Sequence, residues 1–323
     1  MISGDIKLKM AIAEELKKIN DFDVITTVLT VSQAANLFAA GQNALIIDIE
    51  NQKTTDLEIK RLTEKFNLSA YVIGEPDGLS YIRSGITNIM PKPAPGDIAG
   101  MKRLGANLAR RIENAARLTE APRAFNVTDY AEAAPETQKI IAIASSTGGT
   151  DALPVVLRAL PANSPPALIV QHMPSMFTKQ FAERLNKICA VKVAEASDGA
   201  YLKNGAAFIA PGDLHMRLVK KNRKLAVECF NAERVNGVRP SADVTFNSVL
   251  AAIGGNVIGV ILTGMGADGA KSLLELHKKG AKIIAQNKET CVVYGMPKSA
   301  VELGAVDYIL PLDKIGEKIV SLF

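Results

Sequence analysis

The sequence predicts an α/β protein in two parts, and three observations carry that prediction. From Lys139 onward, apolar runs of strand length alternate with segments of helical period, the pattern of a doubly wound, mostly parallel sheet. Residues 1–97 repeat the alternation on a smaller scale, as expected of a small parallel sheet flanked by helices. Between them, residues 98–136 open with a basic helix and lose all periodicity from Glu120 to Glu136, which reads as a linker. With 137–323 as the second domain, a chain of 323 residues holds two domains of ordinary size.

In the first part Leu8, Ile12, Leu16 and Ile19 recur at helical spacing, residues 24–28 read as a strand and 34–40 as a helix. A strand over 44–49, a helix over 57–66, a strand over 70–73 and a short strand over 86–90 follow. Pro91, Pro93 and Pro95 end the unit, because proline removes a ladder donor and restricts its neighbour. Leu104, Leu108 and Ile112 mark one face of the basic helix. In the second part, KIIAIA is a buried strand running into SSTGGT, followed by a helix over 152–160. Residues 166–171 form a second buried strand ending at His172, and 208–211, 216–219 and 224–229 read as an antiparallel excursion. A helix over 244–253, a third buried strand over 256–262, a helix over 267–279 and strands at 282–286 and 306–309 complete the domain.

Composition excludes several classes. Hydrophobic residues make up 48% and charged residues 22%, the range of globular chains, so whole-chain disorder and fibrous repeats are ruled out. The longest apolar runs, 140–144 and 257–262, fall far short of the roughly 18 residues that a membrane-spanning helix needs. Glu14 and Glu15 interrupt what would be the apolar stretch of a signal peptide, so a cytoplasmic protein without a transmembrane segment is expected. Cys189, Cys229 and Cys291 have neither disulfide nor metal-ligand spacing, and no metal site is expected from them. The net charge of +5 is mild, and with no Trp and 5% aromatics the stacking platforms of nucleic-acid binding are lacking.

Ligands of an open α/β sheet bind outside the carboxyl ends of its strands, so the residues after each strand are the functional candidates. Ser145, Ser146 and Thr147 follow the first strand, His172 the second, and Asp268, within TGMGADGA, the third. A nucleophilic serine needs a base to take its proton, and the base needs a carboxylate to hold its tautomer. Each residue alone has a plainer reading: the serine as a helix cap, the Asp before Gly269 as a turn residue, the His as structural. The loop ASSTGGT lacks both the Gly-x-Gly-x-x-Gly spacing and the P-loop lysine, so nucleotide binding is the weaker reading. His215, in APGDLHM, is an alternative base, and His277, on the polar helix face LLELHKKG, reads as solvated.

Over residues 139–323 the chain resembles the chemotaxis-receptor methylesterases of the CheB type. The resemblance runs through ASSTGGT, VQHMPSMFT, IAPGDLHM, NGVRPSAD, LTGMGADGA and AQNKETCVVYGMP, in that order. It implies a methylesterase domain with a triad in the order Ser, His, Asp: Ser146, not Ser145, as nucleophile, His172 as base and Asp268 as its partner. It further implies an oxyanion site at the Met265 backbone amide, with Thr147 in support. The chain departs from the family at Ser145, commonly a smaller residue, and at Val238, commonly His. The implied activity is hydrolysis of glutamate methyl esters on the signalling helices of a methyl-accepting chemoreceptor. Glutamine deamidation is an implied second activity, catalysis needs no cofactor, and a histidine kinase of the chemosensory array is an implied partner.

Residues 1–97 resemble the response-regulator receiver of the same family, a flavodoxin-like domain. LIIDIE places Asp48 at the phospho-acceptor position, and MPKP places Lys92 at the family's lysine. The acidic pair of the first strand is reduced to Gly4 and Asp5, NQKTTDLE replaces the usual acceptor loop, and Gly74 stands at the switch hydroxyl. Mg²⁺ beside the acceptor needs several carboxylates, so losing one weakens that site. This erosion leaves a rival reading, a non-catalytic regulatory or receptor-binding module with a vestigial triad.

Overall fold

The computed structural model describes residues 1, 3, 5–18, 33, 44–48, 56–66, 69–74, 88–117 and 139–323. It divides into two compact units, Met1–Thr119 and Glu120–Phe323.

In the first unit, helix α1 (Ile6–Leu16) starts at Asp5, whose Oδ1 accepts the Leu8 N–H at 3.0 Å. Leu8, Ile12 and Leu16 lie four residues apart, share one helix face and are all buried. Strands β1 (Ala44–Asp48), β2 (Ser69–Ile73) and β3 (Asn88–Met90) form a parallel sheet in that order. Helix α2 (Asp56–Phe66) lies on the connection between the first two, as a parallel pairing requires. Helix α3 (Ile98–Arg117) contributes Leu104, Leu108 and Ile112 to the same core as Leu8, Ile12, Tyr71 and Ile73.

Two expectations change here. The basic helix, assigned to a linker segment of residues 98–136, belongs to the first unit, because its apolar stripe has the α1 stripe to pack against. Asp5, expected at a strand end, is a helix cap instead. The expected strand at 24–28, the helix at 34–40, Ile19 and residues 118–138 lie outside the described residues.

The second unit carries, in chain order, β4 (Ile140–Ser145), α4 (Gly149–Arg158), β5 (Ala167–Gln171), α5 (Ser175–Ile188), β6 (Lys192–Glu195) and β7 (Ala206–Ile209). The hairpin β8 (His215–Lys221) and β9 (Lys224–Phe230) follows, then α6 (Ala242–Ile253), β10 (Val257–Ile261) and α7 (Ala270–Lys278). Last come β11 (Lys282–Gln286), α8 (Met296–Glu302), β12 (Tyr308–Leu310) and α9 (Leu312–Val320). One sheet runs β12-β11-β10-β4-β5-β7-β6, and all its pairings are parallel. Its central strands are buried on both faces, so they are apolar up to their carboxyl ends, where Ser145 and Gln171 close β4 and β5. Ile140, Ala142 and Ala144 face the layer with Phe246 of α6 and Leu273 of α7, while Ile141 and Ile143 face Leu153 of α4, Leu185 of α5 and Ile315 of α9.

Strand order grows outward from β4 in both directions, so the winding reverses between β4 and β10 and their carboxyl ends flank a crevice. Residues 208–211 were expected in the antiparallel excursion. Phe208 and Ile209 instead end β7, a parallel strand of the main sheet, and the excursion is the β8–β9 hairpin alone.

Candidate active site

The three strand-end residues named by the sequence meet at this crevice. Ser146 leaves β4, its N–H donates to the Thr263 carbonyl at 3.0 Å, and its own carbonyl accepts the Gly149 N–H at 2.8 Å as α4 begins. The loop after β10 comes close because Gly264 has no side chain: a Cβ there would lie 2.8 Å from the Ser146 Cβ and 2.4 Å from the Met296 sulfur. Met265, next in the chain, is 76% exposed. Among the described residues the Thr147 and Met265 backbone N–H groups have no hydrogen-bond acceptor, and the positive end of α4 lies just beyond Ser146.

His172 follows β5, and its N–H donates to the Ser145 carbonyl at 3.1 Å, continuing the β4–β5 pairing. Its Nε2 lies 2.9 Å from Asp268 Oδ2. Because ionised Asp268 can only accept, Nε2 is the protonated nitrogen in the neutral tautomer and Nδ1 the one with the lone pair. Among the described residues neither Nδ1 nor the Ser146 hydroxyl makes a hydrogen bond. The structure thus pairs His172 with Asp268 and brings Ser146 to the neighbouring strand end, without a bond between Ser146 and His172.

Asp268 sits on the N-terminus of α6. Oδ2 accepts the Ala242 N–H at 2.6 Å, and Oδ1 accepts the Ser241 hydroxyl at 2.6 Å, the Asn236 amide at 2.7 Å and the Asp243 N–H at 3.4 Å. Burial pushes the carboxyl pKa up, but the hydrogen bonds from His172, Ser241, Ala242 and Asn236 outweigh it and hold the group below its ordinary value. Sequence reasoning had singled out no residue of the Asn236–Asp243 segment for this role. Asn236 reaches Asp268 from a tight turn in which it and Gly237 both have positive φ, 54° and 76°, and an Asn-Gly pair is the signal that marks such a turn.

A second group of supporting residues surrounds Ser145, which is fully buried. Its hydroxyl donates to Gln171 Oε1 at 2.6 Å, and Gln171 Nε2 donates to the carbonyls of both Ser146 and His172, each at 3.0 Å. One carboxamide therefore ties together the backbones of the two residues that a serine hydrolase must keep in register. A Cβ on Gly149 would fall 2.0 Å from Gln171 Oε1, which explains the glycine.

The remaining candidates fall away. His215 is buried, accepts the Ser241 N–H on Nδ1 at 3.2 Å and donates from Nε2 to the Glu233 carbonyl at 2.9 Å, so it holds the segment that holds Asp268. His277, expected to be solvated, lies 3.3 Å from Asp307. Burial pushes the Cys189 thiol up to about 12 and the Cys229 thiol to about 11, so neither is a thiolate nucleophile near neutral pH.

In the first unit Asp48 ends β1 and is fully buried. Its Oδ2 accepts the Ser3 hydroxyl at 2.8 Å and pairs with Lys92 Nζ at 3.0 Å, and Lys92 also lies 3.7 Å from Asp5. Asp5, Asp48 and Lys92 are thus brought together, with an ammonium beside both carboxylates. Gly74, with φ 137°, follows β2 directly. Among the described residues no three His, Cys, Asp or Glu side chains gather as a metal site.

The family model described as CheB methylesterase matches residues 141–319, the stretch holding the whole crevice. A protein of Agrobacterium fabrum named protein-glutamate methylesterase/protein-glutamine glutaminase is 46% identical over 260 residues, covering 77% of this chain and 72% of its own. Namesakes from Syntrophus aciditrophicus and Salmonella typhimurium are 39% and 35% identical, each covering over 90% of both chains. The crystal structure of the Thermotoga maritima CheB methylesterase catalytic domain superposes with a TM-score of 0.56 at 45% identity, over 57% of this chain and 98% of that one. A match of this length, through the loops that carry Ser146, His172 and Asp268, places the chain in the CheB methylesterase family.

Proposed function

We propose that the protein hydrolyses glutamate methyl esters, and deamidates glutamines, on the signalling helices of a methyl-accepting chemoreceptor, with Ser146, His172 and Asp268 as its triad. The carrying observation is the contact of His172 Nε2 with a carboxylate seated on the α6 N-terminus. It leaves Nδ1 to serve as base. Ser146 Oγ attacks the ester carbonyl as its proton passes to Nδ1, and Asp268 stabilises the imidazolium. The Met265 and Thr147 N–H groups, with the α4 N-terminus, receive the oxyanion. The imidazolium then protonates the departing methoxide, giving methanol and an acyl-enzyme. Water activated by the same nitrogen releases the carboxylate and regenerates Ser146. A glutamine substrate follows the same steps with ammonia leaving. The cycle is complete in protons and electrons without a cofactor.

The first unit we read as a receiver-like, flavodoxin-like domain, supported by its parallel strands and by Asp48 at the end of β1. A chemosensory kinase is the partner such a domain would have, in the cytoplasm. No helix among the described residues is long and apolar enough to cross a membrane. The vestigial-module reading is not favoured, because Asp268 keeps a full set of donors. Methanol release from a methylated receptor fragment tests the proposal: wild type releases it and Ser146→Ala does not, and no release by wild type overturns it.

A further inference from the structure

We propose that the tip of the β8–β9 hairpin is a docking surface for an acidic stretch of protein, namely the glutamate-bearing segment of the substrate; this rests on the esterase reading above. The tip reads KKNRK, so residues 220–224 hold four cations in five exposed positions. Among the described residues Lys220, Arg223 and Lys224 form no ion pair. The acid facing Lys221 is Glu228, which Arg217 already engages at 2.9 Å.

The tip is also built against its own stability. Lys221 and Lys224 are directly opposite in the strand register, and like charges in that arrangement repel. The two turn residues, Asn222 and Arg223, have φ of 51° and 61°, a conformation in which glycine is the favoured second residue. Lysine protects an exposed strand edge, but edge protection calls for neither a lysine facing a lysine nor an arginine at positive φ. Local rules broken together at one exposed place mark a functional surface. Tyr201 widens it: its backbone bridges to Ala226 of β9, its side chain is 43% exposed, and Lys203 beside it is exposed as well.

Position relates this surface to the crevice. The opposite end of the hairpin is His215, which binds the Ser241 N–H, while the Ser241 hydroxyl binds Asp268. A seven-residue strand puts the tip about 20 Å from that end, the length of about 13 residues of helix. A single substrate helix with one ester at Ser146 can therefore lay its other glutamates on the tip. Every turnover adds a carboxylate to that helix, so the partner is acidic by the chemistry of the reaction itself. The contribution is long-range attraction, which raises encounter and apparent affinity and leaves the chemical step alone.

The test uses the full chain carrying Lys221→Glu and Arg223→Gly. This variant sets a glutamate opposite Lys224 and a glycine at positive φ, so its melting temperature should equal or exceed that of wild type. Its affinity for an unmethylated, glutamate-rich receptor fragment, read by fluorescence anisotropy, should fall about tenfold and lose most of its dependence on salt. On the methylated fragment KM should rise with kcat unchanged, and turnover of a small uncharged ester should not change. Equal affinity and equal salt dependence in the two proteins would overturn the proposal. So would an equal loss on the small ester, or wild-type binding to phosphatidylserine vesicles with no effect of the variant on the fragment. A wild type that binds the fragment in a salt-sensitive, tip-dependent way but turns over no ester would uphold the docking surface and defeat the esterase reading.

Discussion

Asp268 and Asp48 occupy comparable places, each buried at or just beyond the carboxyl end of a parallel strand, and they are satisfied in opposite ways. Asp268 is held by neutral donors, the Ser241 hydroxyl, the Asn236 amide and the α6 amide ends, besides His172. Its negative charge is solvated by dipoles but not cancelled. It remains available to a proton arriving on His172. Asp48 accepts the Ser3 hydroxyl and is paired with Lys92 at 3.0 Å, so a full positive charge stands against its carboxylate. A carboxylate braced by dipoles keeps its field for a neighbour such as His172, whereas one beside a lysine spends much of its field on that partner.

That contrast is sharpest in kinetics. Ser146→Ala should abolish methanol release, about 10⁶ in kcat by analogy with other triad hydrolases, while Ser145→Ala keeps most of it, because the Ser145 hydroxyl is buried against Gln171. A dead Ser145→Ala and a live Ser146→Ala would invert the assignment. Asp268→Asn should cost about 10⁴ in kcat, since an amide can present its N–H to His172 and force the wrong tautomer.

Asp268 also makes a stability prediction. Its folded pKa is lowered, so its contribution is full above the unfolded carboxylate pKa of about 3.9 and is lost as pH falls through the folded value. Melting temperatures from pH 6 down to 2 should drop more steeply for wild type than for Asp268→Asn. Parallel curves would mean that the donors around Asp268 do not favour its charge.

What the sequence made legible was whatever leaves a local trace. Buried parallel strands show as apolar runs, through the whole of β10 and up to Ser145 in β4, and the three triad candidates each follow a buried strand. Strand β6 was missed because it is a four-residue edge strand, KVAE, with exposed alternate positions. Helix α8 begins with Met296 and Pro297 and runs only seven residues, too short to display a period. Asn236, Ser241 and Gln171 were invisible as supporting residues, since their roles depend on contacts 26 to 32 residues apart in the chain or on a neighbouring strand. The Asn-Gly turn alone could have drawn attention to Asn236. Lys92 and Asp48 were placed by resemblance, but that the lysine closes directly on the aspartate is a matter of distance, which no sequence pattern carries.

A smaller effect should come from Gln171. Gln171→Ala removes the carboxamide donor from the Ser146 and His172 carbonyls, of which the first keeps the Gly149 N–H, and leaves the Ser145 hydroxyl without its acceptor in a buried place. The expected loss is roughly 10- to 100-fold in kcat, the cost of displacing reacting groups by a fraction of an ångström to about one, with KM nearly unchanged. Gln171→Glu should be no better, because a carboxylate keeps the shape but turns both donors into acceptors facing carbonyls. Wild-type kcat in Gln171→Glu would show that the amide only fills space.

The smallest expected effect is none, and it concerns Asp48. Phosphoryl transfer to an aspartate requires the carboxylate to be free to attack, a cation to neutralise the incoming phosphate, and a second state that binds the product differently. Here Lys92 and Ser3 both engage Asp48 Oδ2, Asp5 is committed to capping α1, and Gly74 offers no hydroxyl to follow a phosphoryl group. Acetyl phosphate with Mg²⁺ should therefore neither label Asp48 stably nor change methanol release, and Mg²⁺ alone should not shift the melting temperature. Lys92→Met should lower that temperature, because it strands a buried carboxylate, which is costly when its partner is removed. A several-fold activation of the intact protein by acetyl phosphate, lost in Asp48→Ala, would instead show that the lysine yields to a metal and that the two aspartates differ less than their contacts imply.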